Sequence, residues 1–393
     1  MSRNDALINK DTLRFIREQK HVSPEYVERV TNIKPERLAE WEDSDSDVLP
    51  TINQAKALAK CYRVPFAGLY MDKEDININH LPSIFNKRTM IGVVADDSAV
   101  NLALIDLIND RQFYLESKEL LNEEIPAFDF SITSLIASEW ARMIREYFGL
   151  KLADQYKAPS KRQFYLYLRG RIESKGIFIQ GFRRVDVSIL RGVAICDGLM
   201  PIIGVNEEDR PPAKSFSIIH ELVHIIKRTS TICNDLFSSN DAEEVFCNAV
   251  AGETLVPKAA LIEKIKGHEN GIDIDTVDYL ADKFSVSSEV IARRLHDCFD
   301  NCGKSWYRSI CAILAARIEK GREERKLAKE MGLTLPFGRH MDWEAIDRTS
   351  TDLCRTLLHG YSADIFDKAD ISARLGIGEK HIDNFLMEVL AWQ

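Results

Sequence analysis

The sequence predicts an α+β fold that is mainly helical, and three observations carry that expectation. Apolar residues recur at helical spacing through most of the chain, short β-like runs cluster between residues 176 and 206, and an almost wholly aliphatic helix follows them with polar residues only at positions 220, 221 and 224 within 218–226. A chain of 393 residues has room for two to three domains and a sizeable core. Hydrophobic residues at 45% and charged residues at 29% exclude a disordered or low-complexity chain. The net charge of −9 excludes a coat of basic surface for non-specific nucleic-acid binding, though it leaves room for a local basic face. Residues 1–10 contain no apolar run of secretory length, and no later stretch of about twenty residues escapes charge, so a cytoplasmic protein without a membrane span is expected. The cysteines are dispersed and include no Cys-x-x-Cys pair, as expected of reduced thiols.

Residues 10–72 read as short helices separated by turns. Ser23, Pro24 and Glu25 supply an N-cap, a first-turn proline and a first-turn acid ahead of Tyr26, Val27 and Val30. Thr31 and Asn32 break that helix, and Lys34, Pro35 and Glu36 open another that carries Leu38 and Trp41. A further helix follows Leu49, Pro50 and Thr51, with Ile52, Ala55, Leu58 and Ala59 on one face. The stretch resembles the XRE-type helix-turn-helix, which implies duplex DNA as a partner. Its charge departs from that pattern: residues 1–73 hold 12 Lys/Arg and 12 Asp/Glu, and Glu42, Asp43, Asp45 and Asp47 follow the helix that would read DNA. A module that docks protein is the alternative.

An acidic, Asn-rich stretch from residue 73 leads through Leu81 and Pro82 into one long helix with Leu102, Leu104, Ile105, Leu107 and Ile108. An amphipathic helix is expected over 132–150, including Leu135, Ile136, Trp140, Ile144 and Phe148 and ended by Gly149, and another from about Tyr165 to Ile172. The β-like runs are 177–180, 192–196 and 201–205, punctuated by Gly176, Gly181, Gly198 and Asn206.

Residues 215–226 form the helix that carries chemistry. His220 and His224 stand at i and i+4, so both imidazoles project from one face and can share a zinc ion at about 2.0–2.1 Å each. Glu221 is poorly placed to chelate beside them and is instead positioned to take a proton from a water that the metal has acidified. Buried among aliphatic residues, these polar groups would be costly without a metal partner. The third ligand is expected on a helix from Asp241, its N-cap, to Leu255. Glu244 can ligate, and Asn248, one turn on, can orient a metal-bound histidine. Glu243 lies about 100° away around the helix and is expected to be solvated surface. The interval from His224 to Glu244 leaves room for a turn around residues 229–240 and an antiparallel return, which suits a gluzincin-like site of two His and one Glu.

Residues 201–206, 216–224, 244–251 and 255–257 together resemble the ImmA/IrrE family of metallopeptidases. The resemblance implies that His220, His224 and Glu244 hold zinc and that Glu221 is the catalytic base. Cys247 stands where the family often has Ala, and Val223 where it often has Gly. The likeness continues over 274–295, with Leu280, Phe284, Val286, Arg293 and Leu295 in what looks like the family's small helical motif. It further implies a peptidase that cleaves a regulatory protein such as a transcriptional repressor or antitoxin, in a stress-response or mobile-element system. The alternatives are a DNA- or protein-binding regulator with a non-proteolytic zinc site, or a toxin–antitoxin component.

The expected organisation is a helix-turn-helix module over 1–75, a helical connector over 76–125, a metallopeptidase core with a small sheet over 126–300, and a C-terminal helical domain over 301–393. Within the last, 319–330 reads as a solvated helix face of mixed charge, and 371–386 as a second turn-linked helix pair. Arg293, Arg294 and His296 are weak candidates for an oxyanion partner. His296 with Cys298 and Cys302 lacks the four ligands of a closed metal site.

Overall fold

The structure is a computed structural model that describes residues 4–78, 81, 97–228, 231–233, 242–266, 271–331 and 341–392. The chain divides into two compact units, Met1–Phe113 with Phe182–Asp186, and Tyr114–Gly181 with Val187–Gln393.

In the first unit, α1 (Lys10–Gln19), α2 (Pro24–Thr31), α3 (Pro35–Glu42) and α4 (Ile52–Tyr62) close around Leu13, Ile16, Val27, Leu38, Trp41, Leu58 and Tyr62. Each boundary has a local cause. The Ser23 hydroxyl accepts the Tyr26 amide, Pro24 sets the first turn of α2, and Asn32 ends it in the left-handed region at φ 59°. Thr51 and Gln54 form a reciprocal capping box on α4. The Lys20 ammonium donates to the Tyr62 and Arg63 carbonyls at the end of α4 (2.8 and 3.2 Å), where the helix dipole favours a cation. Arg17 holds Glu42 through two bonds of 2.7 and 2.8 Å, tying α1 to α3.

The long helix α5 (Ser98–Leu120) begins in the first unit and ends in the second. Most of the Asn-rich stretch before it, including Pro82, lies outside the described residues. In the second unit come α6 (Ala137–Tyr147), α7 (Leu152–Lys157) and α8 (Lys161–Glu173). The helix expected from residue 132 starts at Ala137 instead. The Ser134 hydroxyl accepts the Ile136 amide and the Ser134 carbonyl accepts the Trp140 indole (3.1 and 2.7 Å), so the chain is turned before the helix begins. Leu135, expected on the buried face, is 90% exposed.

The strands β1 (Phe178–Phe182), β2 (Gly192–Ile195) and β3 (Ile202–Asn206) overlap the expected runs, but β1 continues through Gly181 and β3 includes Asn206, both of which the sequence marks as breaks. A fourth, β4 (Thr231–Cys233), gives the sheet order β1-β3-β2-β4. β2 pairs antiparallel with β3, Gly192 opposite Val205, and with β4, Gly192 opposite Cys233. The stretch read as a turn therefore contributes a strand; three residues are too few to show a period. The rest of that stretch, with the expected N-cap Asp241, lies outside the described residues.

Helix α9 (Pro211–Ile226) is buried without a break from Lys214 to Ile226, packed between the sheet, α8 and α10 (Ala242–Leu255). Its two first-turn prolines cost nothing, because those amides have no intrahelical partner. α11 (Lys258–Ile265), α12 (Ile274–Lys283) and α13 (Ser288–Cys298) complete this core with Leu261, Leu280, Phe284, Ile291 and Leu295. Then follow α14 (Lys304–Glu330), whose charged second half is largely exposed, α15 (Met341–Arg348), α16 (Thr351–Ser362), α17 (Lys368–Leu375) and α18 (Ile382–Leu390). No single helix among the described residues is long and apolar enough to cross a membrane. The cysteines whose side chains are described are free thiols.

Candidate metal centre

Helices α9 and α10 face each other, and the contact brings His220, His224 and Glu244 to one point. A ligand atom from each lies within 4.8 Å of the others, and all three residues are buried. His220 Nε2 is 3.4 Å from His224 Nε2 and 3.1 Å from Glu244 Oε2, and His224 Nε2 is 3.7 Å from Glu244 Oε1. Ligand atoms held at about 2.0–2.1 Å around a tetrahedral ion lie roughly 3.3–3.4 Å from one another, so these separations suit a small tetrahedral metal ion.

The surroundings of His220 suit the same role. Its Nδ1 lies 2.9 Å from Asn248 Oδ1, a contact that is a hydrogen bond when Nδ1 carries the proton, and in that tautomer the Nε2 lone pair faces the Glu244 carboxylate. Lone pairs and a carboxylate converging in an apolar interior repel one another unless a cation sits among them. The donor set therefore fits a metal ion. Asn248 stands where the sequence placed the group that orients a histidine.

Glu221 is wholly buried one residue from His220. Its carboxylate lies on β2 against Gly192: a Cβ built there would come within 2.6 Å of Oε1 and 3.0 Å of Cγ. A side chain at position 192 would have to push that carboxylate aside. Sequence reasoning took Gly192 as the start of a β run; its role shows only once β2 and α9 are packed.

Glu243, expected as solvated surface, is half-buried. Its Oε1 accepts from the Lys227 ammonium at 2.8 Å and lies 3.8 Å from His224 Nδ1. Cys247 Sγ is 3.9 Å from the same nitrogen. Burial, with the Glu244 charge adding to it, pushes the Cys247 thiol well above its usual range, so the sulfur is protonated.

The remaining candidates stand apart. Arg294 pairs with Glu253 and donates to the Val256 carbonyl at 3.1 Å, fastening α13 to the end of α10. Arg293 lies 3.5 Å from Asp297, and both arginines line a cavity of about 320 Å³ with Phe216, Asn248 and Val290. His296 donates Nδ1–H to the Cys302 carbonyl at 2.8 Å and stacks on Tyr307, which places it in packing.

Residues 175–296 match the family model described as the IrrE N-terminal-like domain, Peptidase_M78. The matched segment runs from just before β1 through most of α13 and contains the whole cluster, and it supports the ImmA/IrrE resemblance as a metallopeptidase-type domain. No curated protein matches the chain.

Proposed function

We propose that the chain is a zinc-dependent endopeptidase that cleaves a regulatory protein, a transcriptional repressor or antitoxin, in a stress-response or mobile-element system. The observation that carries the hydrolytic reading is the buried His220–His224–Glu244 cluster, with the wholly buried Glu221 next to His220 in the same helix. His220, His224 and Glu244 would hold the metal, and Asn248 fixes the His220 ring. Bound zinc supplies a Lewis acid that polarises the scissile carbonyl and lowers the pKa of the attacking water. Glu221 takes the proton of that water and returns it to the leaving amine. Gly192 leaves space for the carboxylate to do so. A site that used its metal only to hold the fold would gain nothing from a buried glutamate next to the first ligand. The α2–α3 pair supports a partner-binding role for the first unit, with duplex DNA or a protein as the partner.

The test is Glu221→Gln, which preserves shape but cannot accept a proton. Zinc content and fold should survive while proteolysis falls by roughly 10²–10⁴-fold. Expressed beside the parent and compared by mass spectrometry of cellular fragments, the pair should differ in fragments that name the substrate. Identical fragments from both chains, with zinc bound in both, would overturn the peptidase reading in favour of a regulator.

A further inference from the structure

Two histidines hold the cluster, and α10 reaches the far nitrogen of each. His220 has Asn248 at 2.9 Å from Nδ1. His224 has two neighbours on the same helix, Glu243 Oε1 at 3.8 Å and Cys247 Sγ at 3.9 Å. Residues 243, 244, 247 and 248 thus form one face of α10, with the ligand Glu244 flanked by groups that can orient each imidazole. The two neighbours of His224 are not equal. Cys247 Sγ is within reach of a weak bond to sulfur, whereas Glu243 Oε1 at 3.8 Å is an ion-pair neighbour just beyond hydrogen-bond length. On closing that gap the carboxylate would accept from an imidazole N–H through a charge-assisted bond, and a thiol sulfur is the weaker acceptor. Glu243 is also anchored, because Lys227, which caps the C-terminus of α9, holds its Oε1 at 2.8 Å.

On the reading of His220, His224 and Glu244 as a metal centre, we infer that Glu243, pinned by Lys227, is the positioning residue for His224. It selects the tautomer with Nδ1–H toward the carboxylate and so keeps Nε2 turned to the metal. Carboxylate–histidine pairs of this kind typically change metal affinity by about 10–100-fold.

Zinc affinity of the full-length chain by competition with a chromophoric chelator tests this, together with the visible spectrum of the cobalt-loaded chain, which reads ligand geometry rather than folding. Glu243→Ala should weaken zinc binding about 10–100-fold and shift the cobalt bands. Glu243→Gln, which keeps an acceptor oxygen, should recover part of that loss. Lys227→Met should fall between the parent and Glu243→Ala, and Cys247→Ala should match the parent. If Glu243→Ala has parental affinity and spectrum, or if Cys247→Ala carries the loss instead, the assignment is wrong. A Lys227→Met chain equal to the parent removes Lys227 from the proposal. A parent that binds neither metal would overturn the metal centre itself, an outcome distinct from loss of the positioning role alone.

Discussion

Gly192 shows how one side chain's absence can make room for another. It has ordinary extended backbone, so alanine there meets no conformational barrier, and the conflict is purely steric. The new Cβ would lie 2.6 Å from Glu221 Oε1 and 3.0 Å from its Cγ. A surface glutamate would swing away, but Glu221 is fully buried and has little room to do so. Gly192→Ala should therefore displace the carboxylate while leaving the three proposed ligands in place. Displacement on the order of 1 Å costs about 10²-fold in rate, so hydrolysis should fall by that order with metal content unchanged. Rate and bound zinc measured on the same preparation check it, and a parental rate would show that β2 yields more easily than its pairing on both edges implies.

Elements whose signal is local were legible in the sequence. The β-like runs, the aliphatic helix around His220 and the face of α10 carrying Glu244 and Asn248 all follow from periodicity within a few residues. Three features were not, because each depends on packing between segments. The strand Thr231–Cys233 exists through its pairing with β2, Glu243 meets His224 only across the α9–α10 contact, and the late start of α6 reflects the turn that Ser134 makes. The same reasoning applies to α3. Its exposed positions include Glu36, Ala39 and Glu40, Arg37 pairs with Glu40, and Asp43, Asp45 and Asp47 follow in the open. A phosphate backbone meets little positive charge on that face, so any binding of duplex DNA should weaken only slightly between roughly 50 and 200 mM salt. Fluorescence anisotropy of a labelled duplex across that range measures the slope; a steep fall would reveal a basic face elsewhere in the module.

Across the molecule, the C-terminal helices belong to the same compact unit as the cluster, and a buried charged pair on α8 joins them. Arg169 donates to the carbonyls of Ile346 and Asp347 at the end of α15 (3.0 and 2.6 Å), while Glu173 accepts the Thr351 amide at the start of α16 (3.1 Å). Cation on a helix C-terminus and carboxylate on a helix N-terminus each oppose the local dipole charge, so one side of α8 grips both ends of the α15–α16 corner. Burial is the larger influence on Glu173: it raises the carboxyl from its ordinary 4.5 to about 7, against the lowering effect of Arg169 and Thr351. Because the folded chain then holds this proton more tightly than the unfolded one, the stabilisation is complete below about pH 4.5 and is lost as pH rises through about 7. Glu173→Gln cannot ionise yet keeps a carbonyl oxygen for the Thr351 amide. It should match the parent near pH 4.5 and gain on it by up to ~1.4 kcal/mol per unit of pKa shift by pH 8. Urea midpoints of both chains across that range decide it: diverging curves support a buried, titrating Glu173, and parallel curves would mean that Arg169 keeps the carboxylate ionised throughout.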